Sequence, residues 1–357
     1  MVGGVSREGG VERRCNRRRK TVAFNSRFLR APELRTIIRS DGFHDDSRGG
    51  PPAITTVSDH SNATKFDAAG ANRTLLRRLA DTFMPVARGN PLVTFRFLGE
   101  LGRLGNQLFQ IAATIGVARS NACPFVLPQW DYARHFAHPF AQSAARWRAR
   151  RYRERDFAYQ EIVIDRPTEL YGYFQSERYF QHCADEIRGY FEPHPRLAAM
   201  LRHQFSDLID RDTCSVHVRR GDYVENPGFV DLSATDYHAR AFQQFGPATK
   251  FVVFSDDLEW CRANFTGARF VFIEALSDIE DLILMSWCRG HIIANSSMSW
   301  WGAWLDPRPG KMVIAPARWF AGARNDPRVR FHPRRDGKLM SGYFDARDLI
   351  PQGWIKL

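Results

Sequence analysis

No stretch of eighteen consecutive apolar residues occurs in the 357-residue chain, and its amino terminus has no apolar segment resembling a secretory signal. The expectation is a soluble cytoplasmic protein with no transmembrane helix, peripheral attachment to a membrane being left open. Six cysteines, Cys15, Cys123, Cys183, Cys214, Cys261 and Cys288, form no CxxC pair and have no histidine companion at zinc spacing. Free thiols in a reducing compartment are therefore expected, not a zinc site or a disulfide framework. Neither the dinucleotide fingerprint nor the P-loop lysine pattern is present.

Acidic residues are outnumbered: 39 Asp and Glu face 51 Lys and Arg, a formal charge of +12. Such a balance suits nucleic acid or an anionic membrane as partner. Its placement argues otherwise, because residues 1–50 hold 12 basic and 6 acidic side chains and so supply half of the excess. The basicity belongs largely to a tail.

That tail, residues 1–90, is rich in Arg, Gly, Ser, Asp and Pro, with Arg17-Arg18-Arg19-Lys20 and Gly49-Gly50-Pro51-Pro52 within it. It buries too little apolar surface to offset roughly 1–2 kcal/mol of backbone ordering per residue, so a disordered extension is expected. Only Leu75 to Phe83 suggests a short helix. An electrostatic tether for RNA or anionic lipid is the alternative to a solvated extension.

From Leu92 the pattern changes. Leu92 to Leu98 alternates and is rich in β-branched and aromatic residues, and helical periodicity follows over 106–119. Further strands are expected at 170–174, 214–218, 250–254, 270–273, 291–294 and 312–315, with helices between the later ones. One helix opens on a capping box, Ser277 with Glu280. This alternation predicts an α/β fold with doubly wound parallel sheets. The chain is longer than single cores usually grow, about 250 residues, so two domains are expected, 91–209 and 210–357, after the extension. The Arg-rich interval 146–155 is read as a separator that closes the amino-terminal α/β portion.

Four constellations can carry chemistry. Gly102-Arg103-Leu104-Gly105-Asn106-Gln107 lies between a strand and a helix, where backbone N–H groups attract anions. His217-Val218-Arg219-Arg220-Gly221-Asp222-Tyr223 lies where a strand runs out, the edge at which parallel sheets bind ligands. Arg holds a diphosphate through two charge-assisted hydrogen bonds, so one arginine is expected on phosphate and the other on Asp222. Ser255-Asp256-Asp257 could hold a divalent ion, but the helical pattern beginning at Leu258 favours a helix cap, and no metal is assigned. Asn295-Ser296-Ser297-Met298-Ser299, ahead of Trp300, Trp301 and Trp304, offers hydroxyl and backbone donors at a helix start. Trp300 and Trp304 share one helical face and are read as core. Of four sequons, at Asn62, Asn72, Asn264 and Asn295, the last falls inside this loop, and all four are taken as coincidental.

In order, Gly102 to Gln110, Gly172 to Phe180, His217 to Tyr223, Phe254 to Trp260 and Asn295 to Leu305 make the chain resemble the α-1,2-fucosyltransferases, glycosyltransferase family 11, from about Leu92 to at least Phe320. The resemblance implies a GT-B-like fold of two Rossmann-type domains facing a cleft, the first on the acceptor side and the second binding the GDP-sugar. It implies GDP-fucose as donor, a galactose-terminated glycan as acceptor, inversion at the sugar carbon and no metal or other cofactor. The HxRRxD motif falls on His217, Arg219, Arg220 and Asp222, with the arginines expected at the diphosphate. Asn295, Ser296, Ser297 and Ser299 are expected to line the nucleotide site, and Gly105, Asn106 and Gln107 to face the cleft near the donor. Met298 stands where bacterial relatives usually have Phe. For the general base, Asp222 and Glu225 are the nearest carboxylates in sequence. Rival readings are a transferase of the same fold with a protein or GlcNAc-type acceptor, and a non-catalytic basic protein binding RNA or lipid. Nucleic acid is not an expected partner, and the oligomeric state is open.

Overall fold

The structure is a computed structural model that describes residues 90–140, 142–143, 148–209, 211–330 and 341–357. The expected extension, its short helix, and the sequons at Asn62 and Asn72 lie outside these residues.

Two parallel sheets carry the chain. The first has strands β1 (Leu92–Thr94), β2 (Phe125–Val126), β3 (Arg150–Arg153) and β4 (Pro167–Tyr171), in the order β2-β1-β4-β3. β1 pairs Val93 with Phe125 on one side and with Thr168 on the other. Helix α1 (Leu104–Ser120) follows β1 and is buried along nearly its whole length. β1 stops sooner than its alternation suggests, because the chain turns away after Thr94 through Gly99 and Gly102, at φ +89° and +87°.

The Arg-rich interval is not a separator. Its residues Arg150 to Arg153 form the edge strand β3, paired in register with β4. Arg151 and Arg96 both bond the buried carboxylate of Glu169 in β4, and Arg151 also lies over the rings of Phe97 and Tyr171. A charged edge strand of this kind resists pairing with another chain, which is why its composition hid it from periodicity.

After α2 (Ala184–Tyr190) and α3 (Pro195–Gln204), whose Pro195 occupies the first helical position, comes the second sheet. Its strands are β5 (Thr213–Val218), β6 (Lys250–Ser255), β7 (Phe270–Phe272), β8 (Gly290–Ile292), β9 (Met312–Ala315) and β10 (Ile355–Lys356). The order is β10-β9-β8-β5-β6-β7, all parallel. Between the strands run α4 (Gly221–Val224), α5 (Tyr237–Phe242), α6 (Leu258–Asn264), α7 (Asp278–Trp287) and α8 (Ser297–Leu305). Helices on both faces explain why β6 reads as an apolar run, Phe251 to Phe254, and why β5 is buried along its whole length although Thr213, Ser215 and His217 interrupt its apolar residues. Val216, Phe251 and Val253 pack on one side with Tyr237 and Cys261, while Val252 and Phe254 pack on the other with Leu284 and Met285.

The capping box at Ser277 is formed, with Glu280 accepting the Ser277 backbone N–H at 2.7 Å. The tryptophans of α8 are core: Trp300 and Trp304 stack at 6.1 Å and 11°, and Trp300 and Trp301 are fully buried. Trp300 lies 4.4 Å from the ring of Phe109 in α1, and Trp301 stacks on Phe180 at 5.4 Å. One aromatic cluster thus joins the helix behind the first sheet to a helix of the second. Among the described residues no helix is long and apolar enough to cross a membrane. Cys123, Cys183, Cys214, Cys261 and Cys288 are free thiols.

This is the α/β, GT-B-like organisation that the resemblance implied, with the first sheet inside residues 92–171 and the second inside 213–356.

Candidate active site at the strand crossover

In the second sheet the chain runs outward from β5 through β6 to β7, then returns to lay β8 on the opposite side of β5. The carboxyl ends of β5 and β8 therefore diverge into loops of opposite direction, leaving a crevice between them. In open α/β sheets this reversal point is where ligands bind. The loop after β5 carries Arg219, Arg220 and Asp222, and the loop after β8 carries Asn295, Ser296 and Ser297. Topology thus brings two separate sequence motifs to one place.

A third motif joins them. Gly105, in the first turn of α1, touches the first turn of α8: a Cβ added there would sit 2.6 Å from the backbone nitrogen of Met298. Two helix amino termini, each favouring negative charge, meet at this point. Asn106 is held by a hydrogen bond from Gln175, in the loop after β4. Gln107 faces inward, where its Nε2 donates to the Gly102 carbonyl and its Oε1 accepts from Trp130 at 2.7 Å.

The arginines are engaged by carboxylates. Arg219 pairs with Asp222 and, at 3.0 Å, with Asp256, while Arg220 donates from Nε to Asp257 at 2.9 Å and bonds Ser233 Oγ. The expected division, with one arginine on Asp222 and the other free for phosphate, is not what the side chains do. Both have acidic partners, and Arg220 also lies 4.5 Å over the ring of Trp260. Two guanidinium charges against three carboxylates leave this cluster at −1. Each arginine still has N–H groups to give, but the cluster does not attract a polyanion by net charge. Asp257 caps α6, accepting the Trp260 N–H at 3.0 Å, and Asp256 accepts the Arg220 backbone N–H at 2.9 Å. Among the described residues no group of three or more His, Cys, Asp or Glu side chains is placed to hold a metal ion.

His217, in β5, is buried, and burial followed by the charge of Arg219 pushes its imidazole down to about 4. It is neutral near pH 7, and its Nδ1 is buried without a hydrogen-bond partner. Asn295 is a structural anchor: Nδ2 donates to the carbonyls of Val230 and Trp319 at 2.9 and 3.0 Å, and Oδ1 is buried and unpaired. With 1% of its surface exposed, Asn295 has no room for a glycan. Ser299 Oγ donates back to the Ser296 carbonyl. Ser296 and Ser297 are different, since neither hydroxyl bonds a described residue and Ser296 leaves the α8 amino terminus uncapped. Glu225 is exposed and unpaired beside Asp222.

Two side chains at the carboxyl ends of the strands carry no motif signal. Arg324 sits in a 3₁₀ turn, Gly322–Asn325, after β9. Glu154 follows β3 and is 2% exposed, and it accepts the backbone N–H groups of Tyr173 and Phe174 at 2.7 and 3.1 Å. It pins a turn in which Phe174 has φ +53°. Burial, opposed by those two hydrogen bonds, pushes the Glu154 carboxyl up to about 8 from an ordinary value of 4.5. The folded protein therefore holds this proton more tightly than the unfolded chain. The resulting stabilisation is whole below pH 4.5 and is lost as pH rises through 8. Melting temperatures measured from pH 5 to 8.5 should fall for the wild type and stay flatter for Glu154→Gln, and parallel curves would remove Glu154 from this role.

Ser215, His291 and Asp306 are linked like a hydrolase relay: Ser215 Oγ lies 2.8 Å from His291 Nδ1, and His291 Nε2 lies 3.1 Å from Asp306. All three are buried, Ser215 and His291 as register partners in β5 and β8 and Asp306 just after α8, and Arg308 completes the network by donating to Asp306 at 2.7 Å. Without solvent access the cluster is a structural one.

The site thus defined is that of an α/β protein whose candidate ligand loops lie at a topological reversal. Residues 143–330 match the model of Glycosyl transferase family 11. The chain belongs to that family.

It is 34% identical over 167 residues to the O-antigen biosynthesis glycosyltransferase WbnK of Escherichia coli, covering 43% of this chain and 55% of that protein. It is 39% identical over 166 residues to an alpha-1,2-colitosyltransferase of Escherichia coli, covering 43% and 56%. It is 29% identical over 233 residues to galactoside alpha-(1,2)-fucosyltransferase 1 of Plecturocebus brunneus, covering 57% and 63%. The matches therefore span between about half and just under two thirds of these relatives' own length.

Proposed function

We propose that the protein is an inverting glycosyltransferase that moves L-fucose from GDP-fucose to O2 of a terminal galactose, without a divalent ion. The observation that carries this reading is the meeting of three motifs at one strand crossover in a family 11 chain: Gly105-Asn106, Arg219-Arg220 and Ser296-Ser297. Backbone N–H groups of the first turn of α8, together with the free hydroxyls of Ser296 and Ser297, suit the phosphate oxygens of a nucleotide diphosphate. The remaining N–H groups of Arg219 and Arg220 would stabilise charge as the diphosphate departs, which lowers the barrier directly. Asp222, Asp256 and Asp257 are already bound to guanidinium groups, which supports a donor site that works without a metal.

Transfer also benefits from a base for the acceptor hydroxyl. Glu225, exposed and unpaired, fits this role better than Asp222, whose lone pairs are partly committed to Arg219.

The 39% identity to a colitosyltransferase supports a close alternative, the same chemistry with colitose as the transferred sugar. Incubation with a panel of nucleotide sugars and β-galactosides, followed by NMR of the product, separates the two. The expected product is fucose α-linked to galactose O2. Transfer of colitose alone would replace the donor, a linkage to GlcNAc would replace the acceptor, and GDP release with no glycoside formed from any pair would end the transferase reading.

A further inference from the structure

We propose that Arg324 supplies the positive charge that holds the donor's diphosphate, a role that rests on the GDP-sugar reading above and adds a binding residue to it. The need is set by the neighbouring cluster, where Arg219 and Arg220 are outnumbered by the carboxylates they bind. A dianionic leaving group requires a cation that is not already neutralised.

Arg324 is half-buried, and its guanidinium makes no hydrogen bond or ion pair with any described residue. The side chain is nonetheless fixed in place. Its Cζ lies 4.7 Å from the ring centre of Phe229 and 5.4 Å from that of Phe344, so two aromatic faces hold the planar fork. The opposing backbone leaves room for it as well, since a Cβ at Gly228 would fall 2.8 Å from Cζ. Withdrawing an unpaired cation from water is costly, and no carboxylate in the described structure offsets that cost here.

Its location is the second part of the argument. The groups acting on its charge are the phenols of Tyr173 and Tyr223, which are neutral near pH 7. Tyr173 follows β4 of the first sheet and Tyr223 lies in α4 just after β5. Tyr223 stacks on Phe229 at 4.1 Å and also lies 5.5 Å beneath Arg219. Arg324 therefore stands at the carboxyl ends of both sheets, joined to Arg219 of the HxRRxD cluster through the stacked rings of Phe229 and Tyr223. Burial pulls its pKa down, but a guanidinium remains charged at any working pH. A free planar fork in that position is suited to two parallel charge-assisted hydrogen bonds to phosphate oxygens.

Calorimetric titration of the full-length protein with GDP and with guanosine tests the assignment. Arg324→Gln should weaken GDP by roughly 10- to 100-fold, the loss expected for a charged hydrogen bond, and leave guanosine unchanged. Arg324→Lys should recover part of the loss, and the salt dependence of GDP binding should be shallower in Arg324→Gln than in the wild type. Gly228→Ala, which crowds the guanidinium without removing its charge, should weaken GDP severalfold and serves if the glutamine variant does not fold. Equal GDP affinity in wild type and Arg324→Gln, or an equal loss of GDP and guanosine, would overturn the assignment and leave the donor reading standing. A wild-type protein that binds no GDP would overturn the donor reading, and this inference with it.

Discussion

On the proposed fucosyl-transfer reading, Arg219→Ala is expected to lower kcat/KM for GDP-fucose by about 10²-fold or more, with most of the loss in kcat. Arg219 stands at the end of β5 beside the strand crossover, and its guanidinium bridges Asp222 and Asp256. Removing it takes away the guanidinium N–H donors and leaves the carboxylates of Asp222 and Asp256 without that cation, beside the site proposed for the diphosphate. Both effects raise the barrier, the first by lost stabilisation of developing charge and the second by repulsion. Arg219→Lys restores the charge but not the fork that spans two carboxylates, so a partial recovery is expected. Steady-state kinetics with the donor varied decide the matter. An alanine variant with wild-type kcat would place leaving-group stabilisation elsewhere, with Arg324 and the amino terminus of α8 as the remaining candidates.

The largest expected effect on stability lies in the buried network around Asp306. Burial alone would raise this carboxyl, but hydrogen bonds from His291 and from the side chain and backbone of Arg308 outweigh it and hold the group at about 2. Asp306→Ala strands His291 Nε2 inside the protein and takes the acceptor from the half-buried Arg308 Nε and backbone N–H. Removing one partner of a buried charged network costs about 3–5 kcal/mol. At roughly 2–4 °C per kcal/mol, the melting temperature should drop by about 10 °C. Asp306→Asn keeps an acceptor and should cost less. The sign of the pH effect follows from the depressed value: this contribution is present above pH 3.8 and is lost as pH falls through 2. An alanine variant whose stability lies within about 1 kcal/mol of wild type would mean the network relaxes around the loss.

Much of the framework was legible because the second sheet is covered on both faces. β6 and β9 needed continuous apolar runs, and such runs are visible in one sequence. β3 was not, because an edge strand takes its stability from Glu169 and aromatic faces and needs no apolar alternation. β2 and β10 have two residues each, too few to establish a period. The positions of the site motifs were legible from the rule that loops at carboxyl strand ends bind ligands. Their side-chain bonding was not. That Asp256 and Asp257 approach Arg219 and Arg220 depends on β6 lying beside β5, a pairing that joins residues 36 or more positions apart. Asn295 and Ser299 carried the same outward signal as Ser296 and Ser297, yet the first pair turned inward to satisfy backbone groups. Arg324 lies in an irregular turn and depends on partners from three distant segments, so no local spacing marks it.

Trp300 and Trp301 lock α8 onto Phe109 of α1 and onto Phe180 in the 3₁₀ segment after β4, and rings packed at 4.4 to 5.4 Å do not slide past one another without losing contact on every side. The two sheets consequently share one thermodynamic fate. Neither half retains its apolar lining once the other is gone, so heat should melt them in a single cooperative step, and the shaping of the crevice around a substrate falls to the loops at its rim.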